Sequence, residues 1–254
     1  MAMNEYRAHT EFIRSVPGAK SAVLMIHGIL CTPNFFSDFV KEIPENISVY
    51  NILLDGHGAD VAHFTKTSMV KWREQVHGIF DALCQRYESI VIVGHSMGSL
   101  FAIEGAVHRP DVVKSIFLVA CPLKVFVKPI AAENSFRVVT NTVNNKNELQ
   151  ISTRENYGIA PDKRLWKYIP WAPRFIELFS LIIKTRNRIK DLTVPTHLYM
   201  SKKDELVSLD SIDYFKDNPN VDLTVLEESY HHYFPAEDYA YMIGGFNEML
   251  SYLE

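Results

Sequence analysis

The chain has 254 residues, of which 47% are hydrophobic and 22% are charged, and its formal net charge is -4 at pH 7. This size and composition are typical of one large globular domain, or of one domain that carries an insertion. The negative net charge and the lack of any run of Lys and Arg argue against a surface that binds nucleic acid.

The cysteines and histidines show no pattern of a metal site. Cys31, Cys84 and Cys121 are widely spaced and form no CxxC pair. They are typical of small buried residues in a reducing compartment, not of a disulfide framework. The histidines also lack metal-ligand spacing, and the adjacent pair His231-His232 is by itself a weak signal. We therefore predict no metal and no cofactor.

The first residues, 1–10, are polar and mixed in charge, and they lack the apolar centre of a signal peptide. No later stretch of the sequence is both long and apolar enough to cross a membrane. These two features predict a cytoplasmic protein without an integral membrane segment.

The chain up to residue 122 alternates short apolar runs with longer amphipathic stretches. Most of the apolar runs are too uniformly hydrophobic for strands with one face in water, so they predict strands buried on both faces. Strands are predicted over 10–16, 22–26, 49–54, 90–93 and 115–120, and helices over 34–42, 68–87 and 99–108. This alternation predicts an α/β fold, with a mostly parallel central sheet and helices on both faces. Such sheets place their ligand sites at the carboxyl ends of the strands.

The alternation breaks between residues 123 and 188, where the sequence holds no clear apolar strand. The aromatic content of this stretch disfavours disorder, and a long insertion in a compact domain is typical of a lid. We predict a mainly helical cap at 123–188, inserted into a core made of 1–122 and 189–254. The alternation then resumes, with strands predicted over 196–200 and 222–226 and helices over 208–216 and 239–253.

The strand predicted at 90–93 runs into the pentapeptide GHSMG, residues 94–98, and a helix follows directly. A Gly-x-Ser-x-Gly turn between a strand and a helix can hold its serine in a strained conformation with the hydroxyl clear of the sheet. A side chain at Gly94 or Gly98 would collide with a neighbouring strand or helix. The alternative is a Gly/Ser turn without chemistry, but the strand and the helix around it favour Ser96 as a nucleophile.

A serine nucleophile needs a base, usually a histidine that a carboxylate holds in one tautomer. In folds of this type the acid follows the serine along the chain and the base follows the acid. Asp204 lies just past a predicted strand, with Glu205 as the rival acid. His231 and His232 follow the next predicted strand, and only one of two adjacent loop residues can serve as the base. We predict Asp204 as the acid and His231 as the base, with His232 as the alternative.

An oxyanion forms when a serine attacks an acyl carbonyl, and preorganised N–H groups must stabilise it. The backbone N–H of Met97, the residue after the serine, is one predicted donor. The second is the N–H of Ile29, in the loop after the strand at 22–26, where Gly28 lets the backbone turn inward. The alternative is that His27 and Gly28 form an ordinary turn that ends the strand.

Five motifs carry a resemblance to a known family, and all lie at the predicted ends of strands. They are His27-Gly28-Ile29, Leu54-Asp55-Gly56-His57-Gly58, Gly94-His95-Ser96-Met97-Gly98, Ser201-Lys202-Lys203-Asp204 and Glu228-Ser229-Tyr230-His231. With these motifs the chain resembles the α/β-hydrolase superfamily, and within it the small serine carboxylesterase and monoacylglycerol-lipase-like branch. The resemblance covers both parts of the predicted core. The cap is predicted from position and composition alone.

The resemblance implies the α/β-hydrolase fold and a serine hydrolase with Ser96 as nucleophile, Asp204 as acid and His231 as base. It also implies an oxyanion hole from Ile29 and Met97, and a small-molecule ester as substrate. Short- to medium-chain acyl esters or monoacylglycerol-like molecules are the expected substrates. One alternative is a C–C bond or thioester hydrolase that uses the same three residues. Another is a hydrolase-fold protein that binds a ligand without catalysis.

Overall fold

The computed structural model describes residues 9–253 and places seven strands in one sheet, in the order β1-β3-β2-β4-β5-β6-β7. The strands are β1 Phe12–Arg14, β2 Ser21–Ile26, β3 Ser48–Ile52, β4 Ser89–His95, β5 Val113–Val119, β6 Thr196–Ser201 and β7 Val221–Leu226. Only β1 pairs antiparallel, at the edge against β3, and the other neighbours pair in parallel. The predicted mostly parallel sheet is confirmed.

The helices cover both faces of this sheet. They are α1 Ser37–Glu42, α2 Val61–Thr65, α3 Met69–Arg86, α4 Met97–His108, α5 Pro129–Thr140, α6 Glu148–Asn156, α7 Ala172–Arg186 and α8 Ala236–Leu250. The helix predicted over 208–216 is shorter, and it is a 3-10 helix over Leu209–Tyr214. The bonds there join residues three apart, such as the Ser211 N–H to the Ser208 carbonyl. A stretch this short favours the tighter helix.

Alternation of side chains along β2 and β4 builds two hydrophobic layers. Every residue of β2 is buried. Leu24 and Ile92 belong to the larger cluster on one face, and Val23 and Val91 belong to the cluster on the other face. Since successive side chains of a strand point to opposite faces, this packing explains the uninterrupted apolar runs of the sequence.

Residues 123–188 contain α5, α6, α7 and a 3-10 helix over Leu165–Trp171, and they contribute no strand to the sheet. The first ten residues are predicted not to form a signal peptide, and most of them lie outside the described part of the chain. Among the described residues, none of the helices combines the length and the apolar character needed to cross a bilayer.

The turn between β4 and α4 is packed against β2 without room for side chains. Ile26 lies opposite Gly94 in the sheet. A Cβ atom at Gly98 would lie 1.8 Å from the Ile26 carbonyl oxygen, and one at Gly94 would lie 2.6 Å from Ser99 Cα. Both contacts are with backbone atoms, which cannot swing away. The predicted need for glycine at these two positions is confirmed.

We expect Gly98→Ala to lower the free energy of unfolding by about 3 kcal/mol or more, because the added methyl group overlaps the backbone of β2. Gly78→Ala is a matched control: Gly78 lies inside α3, and its Cβ would meet no atom within 4 Å. This control is expected to raise the stability by about 1 kcal/mol, since alanine favours a helix. Urea denaturation of both variants measures the two values, and equal stabilities would contradict the steric explanation.

Candidate active site

Ser96 lies at the junction of β4 and α4 in a backbone conformation that side chains rarely adopt. Its φ is 51° and its ψ is -122°. Its N–H donates to the Val119 carbonyl oxygen over 2.9 Å, and the residue is 8% exposed. A strained non-glycine residue persists only where the surroundings force it, and here the close packing of Gly94 and Gly98 supplies that force. The geometry is that of a serine held at a sharp strand-to-helix turn.

Asp204 and His231 form a buried pair at the carboxyl end of the sheet. His231 Nδ1 lies 2.8 Å from Asp204 Oδ2. Asp204 Oδ1 accepts the N–H groups of Leu206 and Val207, over 2.7 and 2.8 Å. Three donors therefore hold this carboxylate in one orientation. The bond to Asp204 places a proton on His231 Nδ1 and leaves Nε2 as the basic nitrogen.

Glu205, the rival acid, has a different partner. Its Oε2 accepts the backbone N–H of His231 over 3.1 Å. Burial raises the pKa of this carboxyl, although His231 pulls the pKa down. Glu205 thus positions the loop that carries His231, while Asp204 contacts the imidazole. Sequence reasoning had missed this role, because nothing in the two adjacent acids shows which one faces the ring.

His232 also differs from its neighbour in its contacts. No hydrogen-bond partner for its Nδ1 is present among residues 9–253, and its carbonyl oxygen accepts the Ser152 hydroxyl. Burial lowers the pKa of His232 well below the usual value, and the nearby His231 lowers it further. The ring therefore lacks a carboxylate to orient it. Of the two adjacent histidines, the structure pairs His231 with the acid.

His95, the residue before Ser96, contacts the loop that carries His231. His95 Nε2 lies 3.1 Å from the carbonyl oxygen of His231, and the centroids of their two rings are 4.9 Å apart. Phe35 stacks on the other side of His95, with a centroid distance of 3.9 Å. The residue next to the serine therefore anchors the loop of His231.

Two neutral histidines hold the loop after β2. His57 Nε2 accepts the N–H of Leu30 over 3.1 Å, and His27 Nε2 accepts the N–H of Leu54 over 3.1 Å. Burial lowers the pKa of both rings, that of His57 to about 4. They stay neutral near pH 7 and can accept these bonds. These two hydrogen bonds connect His27 and Leu30, on either side of Ile29, to the segment over 54–57.

The turn and the loop after β2 face each other closely. A Cβ atom at Gly28 would lie 2.8 Å from Ser96 Cβ, so a side chain there would meet the serine. Leu30 has a φ of 59°, which turns the loop sharply after Ile29. Met97 is the first residue of α4, and its N–H has no acceptor inside the helix. The N-terminus of a helix and a sharply turned loop can together bind an anionic oxygen.

One group of possible metal ligands lies beside these residues. Cys31, His95 and His232 each offer a ligand atom, and the three atoms lie within 4.8 Å of one another. Cys31 and His232 lie in separate loops, and His95 is the last residue of β4. Sequence spacing could not reveal the group, because a metal motif is recognisable only when its ligands are close along the chain.

Because His231 is paired with Asp204, we predict that the histidines protonate at different pH values. Burial alone would lower the pKa of His231, but the charge and hydrogen bond of Asp204 raise it above 6.5. We expect NMR titration of the ring signals to show His231 protonating above pH 6.5 and His57 only near pH 4. Asp204→Asn should move the pKa of His231 below 6.5, since burial then dominates. A pKa below 6.5 in the unaltered protein would contradict the assignment.

Comparison with known proteins agrees with this geometry. Residues 17–238 match the sequence profile of the family described as "Serine aminopeptidase, S33". Monoacylglycerol lipase ABHD6 of Rattus norvegicus is 25% identical over 244 residues, covering 86% of this chain and 72% of the relative.

Two solved structures share the fold. One comes from the work titled "LipS and LipT, two metagenome-derived lipolytic enzymes", with a TM-score of 0.71, 17% identity and 97% of each chain covered. The other is the monoacylglycerol lipase of Paleococcus ferrophilus, with a TM-score of 0.68, 14% identity, and 95% of this chain and 98% of that chain covered. The family profile spans most of this chain. The chain therefore belongs to the serine aminopeptidase S33 family of the α/β-hydrolase superfamily.

Proposed function

We propose that this protein is a serine hydrolase that cleaves carboxylic esters through an acyl-enzyme on Ser96. The observation that carries the proposal is the buried pair of Asp204 and His231, joined over 2.8 Å. It lies at the same sheet edge as a serine in a strained strand-to-helix turn. The order serine, acid, base along the chain is the order of α/β-hydrolases. The lipase relatives support an ester as the substrate.

The reaction begins when His231 Nε2 takes the proton of the Ser96 hydroxyl while the oxygen attacks the ester carbonyl. Asp204 stabilises the imidazolium that forms. The N–H groups of Ile29 and Met97 bind the oxyanion, and one such donor contributes about 3–4 kcal/mol to lowering the barrier. His231 then returns the proton to the leaving alcohol. Water attacks the acyl-enzyme by the same route and restores the free serine.

We propose that residues 123–188 form a cap inserted into a core made of 1–122 and 189–254. Contacts with three loops of the site support this proposal. The N–H of Gly158 donates to the Leu30 carbonyl over 2.7 Å, and the N–H of Lys128 donates to the Glu205 carbonyl over 2.8 Å. The Ser152 hydroxyl donates to the His232 carbonyl. A cap attached to these loops covers Ser96 and limits the access of bulk solvent to the substrate.

Short- to medium-chain acyl esters and monoacylglycerol-like molecules are the proposed substrates. The cap segment carries many exposed apolar side chains, which suit an acyl chain. They include Phe126, Phe136, Trp166, Ile169, Ile176 and Phe179. Two of the similar proteins are monoacylglycerol lipases, which supports this substrate class.

Ser96 is expected to react with a fluorophosphonate probe, because such probes modify serines that a neighbouring base activates. Ser96→Ala should abolish the labelling. Ser99→Ala is the matched control, since the Ser99 hydroxyl is buried one helical turn away and donates to the Gly94 carbonyl over 3.0 Å. It should keep the label. Undiminished labelling of Ser96→Ala would contradict the proposed nucleophile, as would an unaltered protein that takes no label.

The two adjacent histidines should differ sharply in their effect on activity. His231→Ala removes the proposed base, and we expect kcat/KM for p-nitrophenyl butyrate to fall by about 1,000-fold or more. His232→Ala removes a ring without a carboxylate partner, and the expected loss is less than about tenfold. Steady-state kinetics of both variants test the assignment, which would be overturned by the reverse order of losses.

A panel of p-nitrophenyl esters from acetate to laurate, together with a monoacylglycerol, tests the substrate class. We expect the highest kcat/KM for short to medium acyl chains, because apolar burial adds about 0.8 kcal/mol per CH₂ until the site is filled. Inactivity across the whole panel in a protein that still takes the fluorophosphonate label would contradict the ester proposal. That result would favour C–C bond or thioester hydrolysis. Lack of both labelling and turnover would favour a binding protein.

A further inference from the structure

Cys31, His95 and His232 lie together behind the proposed catalytic residues. Cys31 follows β2, His95 ends β4 and His232 lies in the loop after β7. One ligand atom from each side chain lies within 4.8 Å of the other two. The centroids of the two imidazole rings are 5.1 Å apart. The proposed mechanism uses none of these three side chains.

The two histidines each present a buried nitrogen that lacks a partner among the described residues. They are His95 Nδ1 and His232 Nδ1. His95 is fully buried, and its Nε2 donates to the carbonyl oxygen of His231 over 3.1 Å, so Nδ1 carries the free lone pair. An unpaired buried acceptor is unfavourable, and a bound cation would satisfy it. Metal-binding histidines commonly have this arrangement, with one nitrogen on the metal and the other donating to a carbonyl.

We propose that Cys31, His95 and His232 bind a Zn²⁺ ion. A thiolate and two imidazoles are donors that zinc prefers, at distances of about 2.3 Å for sulfur and about 2.0 Å for nitrogen. Tetrahedral zinc therefore needs its ligand atoms roughly 3.5 Å apart, which is a movement of about 1 Å from the present separation. Water occupies the fourth position. The Cys31 thiol releases its proton to solvent when the sulfur binds the metal.

A cavity of about 360 Å³ leads to His232 and provides a route for the ion. Asp38, Glu148 and Glu155 line it, and the described lining residues include no Lys or Arg. Asp38 pairs with Lys41 outside the lining, so Glu148 and Glu155 supply the negative charge. Carboxylates around a cleft raise the local concentration of divalent cations. The cavity therefore favours entry of the ion from solvent.

Zinc at this site connects the segments that carry the proposed catalytic groups. Cys31 lies two residues after Ile29, His95 precedes Ser96 and His232 follows His231. When the three ligands move together, the loop that carries Ile29 and the loop that carries His231 leave the geometry that the reaction needs. We expect bound zinc to inhibit ester hydrolysis at least tenfold. This inhibition depends on the proposed function, but zinc binding itself does not.

Cobalt substitution tests the site without using activity. Titration of the purified protein with Co²⁺ should produce a thiolate-to-cobalt charge-transfer band in the near ultraviolet, which saturates at one equivalent. Cys31→Ser should abolish the band. Cys84→Ser is the matched control, because Cys84 is a half-buried free thiol on α3, outside the cluster. It should keep the band. No band in the unaltered protein, or an equal band in Cys31→Ser, would overturn the proposal.

Zinc calorimetry and kinetics complete the test. The unaltered protein should bind one Zn²⁺, and His232→Ala should bind it at least tenfold more weakly, with far-ultraviolet circular dichroism showing that the variant is folded. Equal affinity in His232→Ala would overturn the site. Hydrolysis of p-nitrophenyl butyrate is then measured after EDTA treatment and with one equivalent of Zn²⁺. Inactivity of the EDTA-treated protein would contradict the proposed function but not the metal site. The cobalt spectrum tests the metal site separately.

Discussion

The close contact between the first turn of α4 and the end of β2 determines the geometry of the site. The Gly98 backbone fits against the Ile26 carbonyl only because no side chain intervenes, and a Cβ there would lie 1.8 Å from that oxygen. This contact places the serine turn beside the loop that begins at Gly28. The same approach brings the N-terminus of α4 close to that loop, which is the arrangement that the proposed oxyanion hole requires.

The electrostatics of the sheet edge depend on which of its buried histidines is hydrogen-bonded to the Asp204 carboxylate. Of these histidines, His231 is hydrogen-bonded to Asp204, and its pKa is raised despite burial. His95 and His232 have no such partner, and burial together with their neighbours lowers their pKa values. A single ring in this cluster can therefore carry charge at neutral pH. The others remain neutral and can act as hydrogen-bond groups.

The sequence predicted most of the fold because its parallel strands are uniformly apolar and its turns carry glycine. Ser96 could be placed because a strand, a short glycine motif and a helix are adjacent along the chain. The choices of Asp204 over Glu205 and His231 over His232 remained open, since adjacent loop residues differ only in direction, which tertiary contacts decide. A helix was predicted at 208–216, but its 3-10 character over 209–214 was not, because composition does not distinguish the tighter helix in a short stretch.

The neutral histidines that hold the loop after β2 link the folding of this domain to protons. The usual histidine pKa is 6.5, and burial lowers that of His57 to about 4. Between these two values the unfolded chain binds a proton that the folded chain does not, so stability decreases as pH falls through this range. The shift corresponds to about 3 kcal/mol at the acid end. Acidification therefore lowers the stability of the fold through the histidines that hold the loop of the proposed oxyanion donor Ile29.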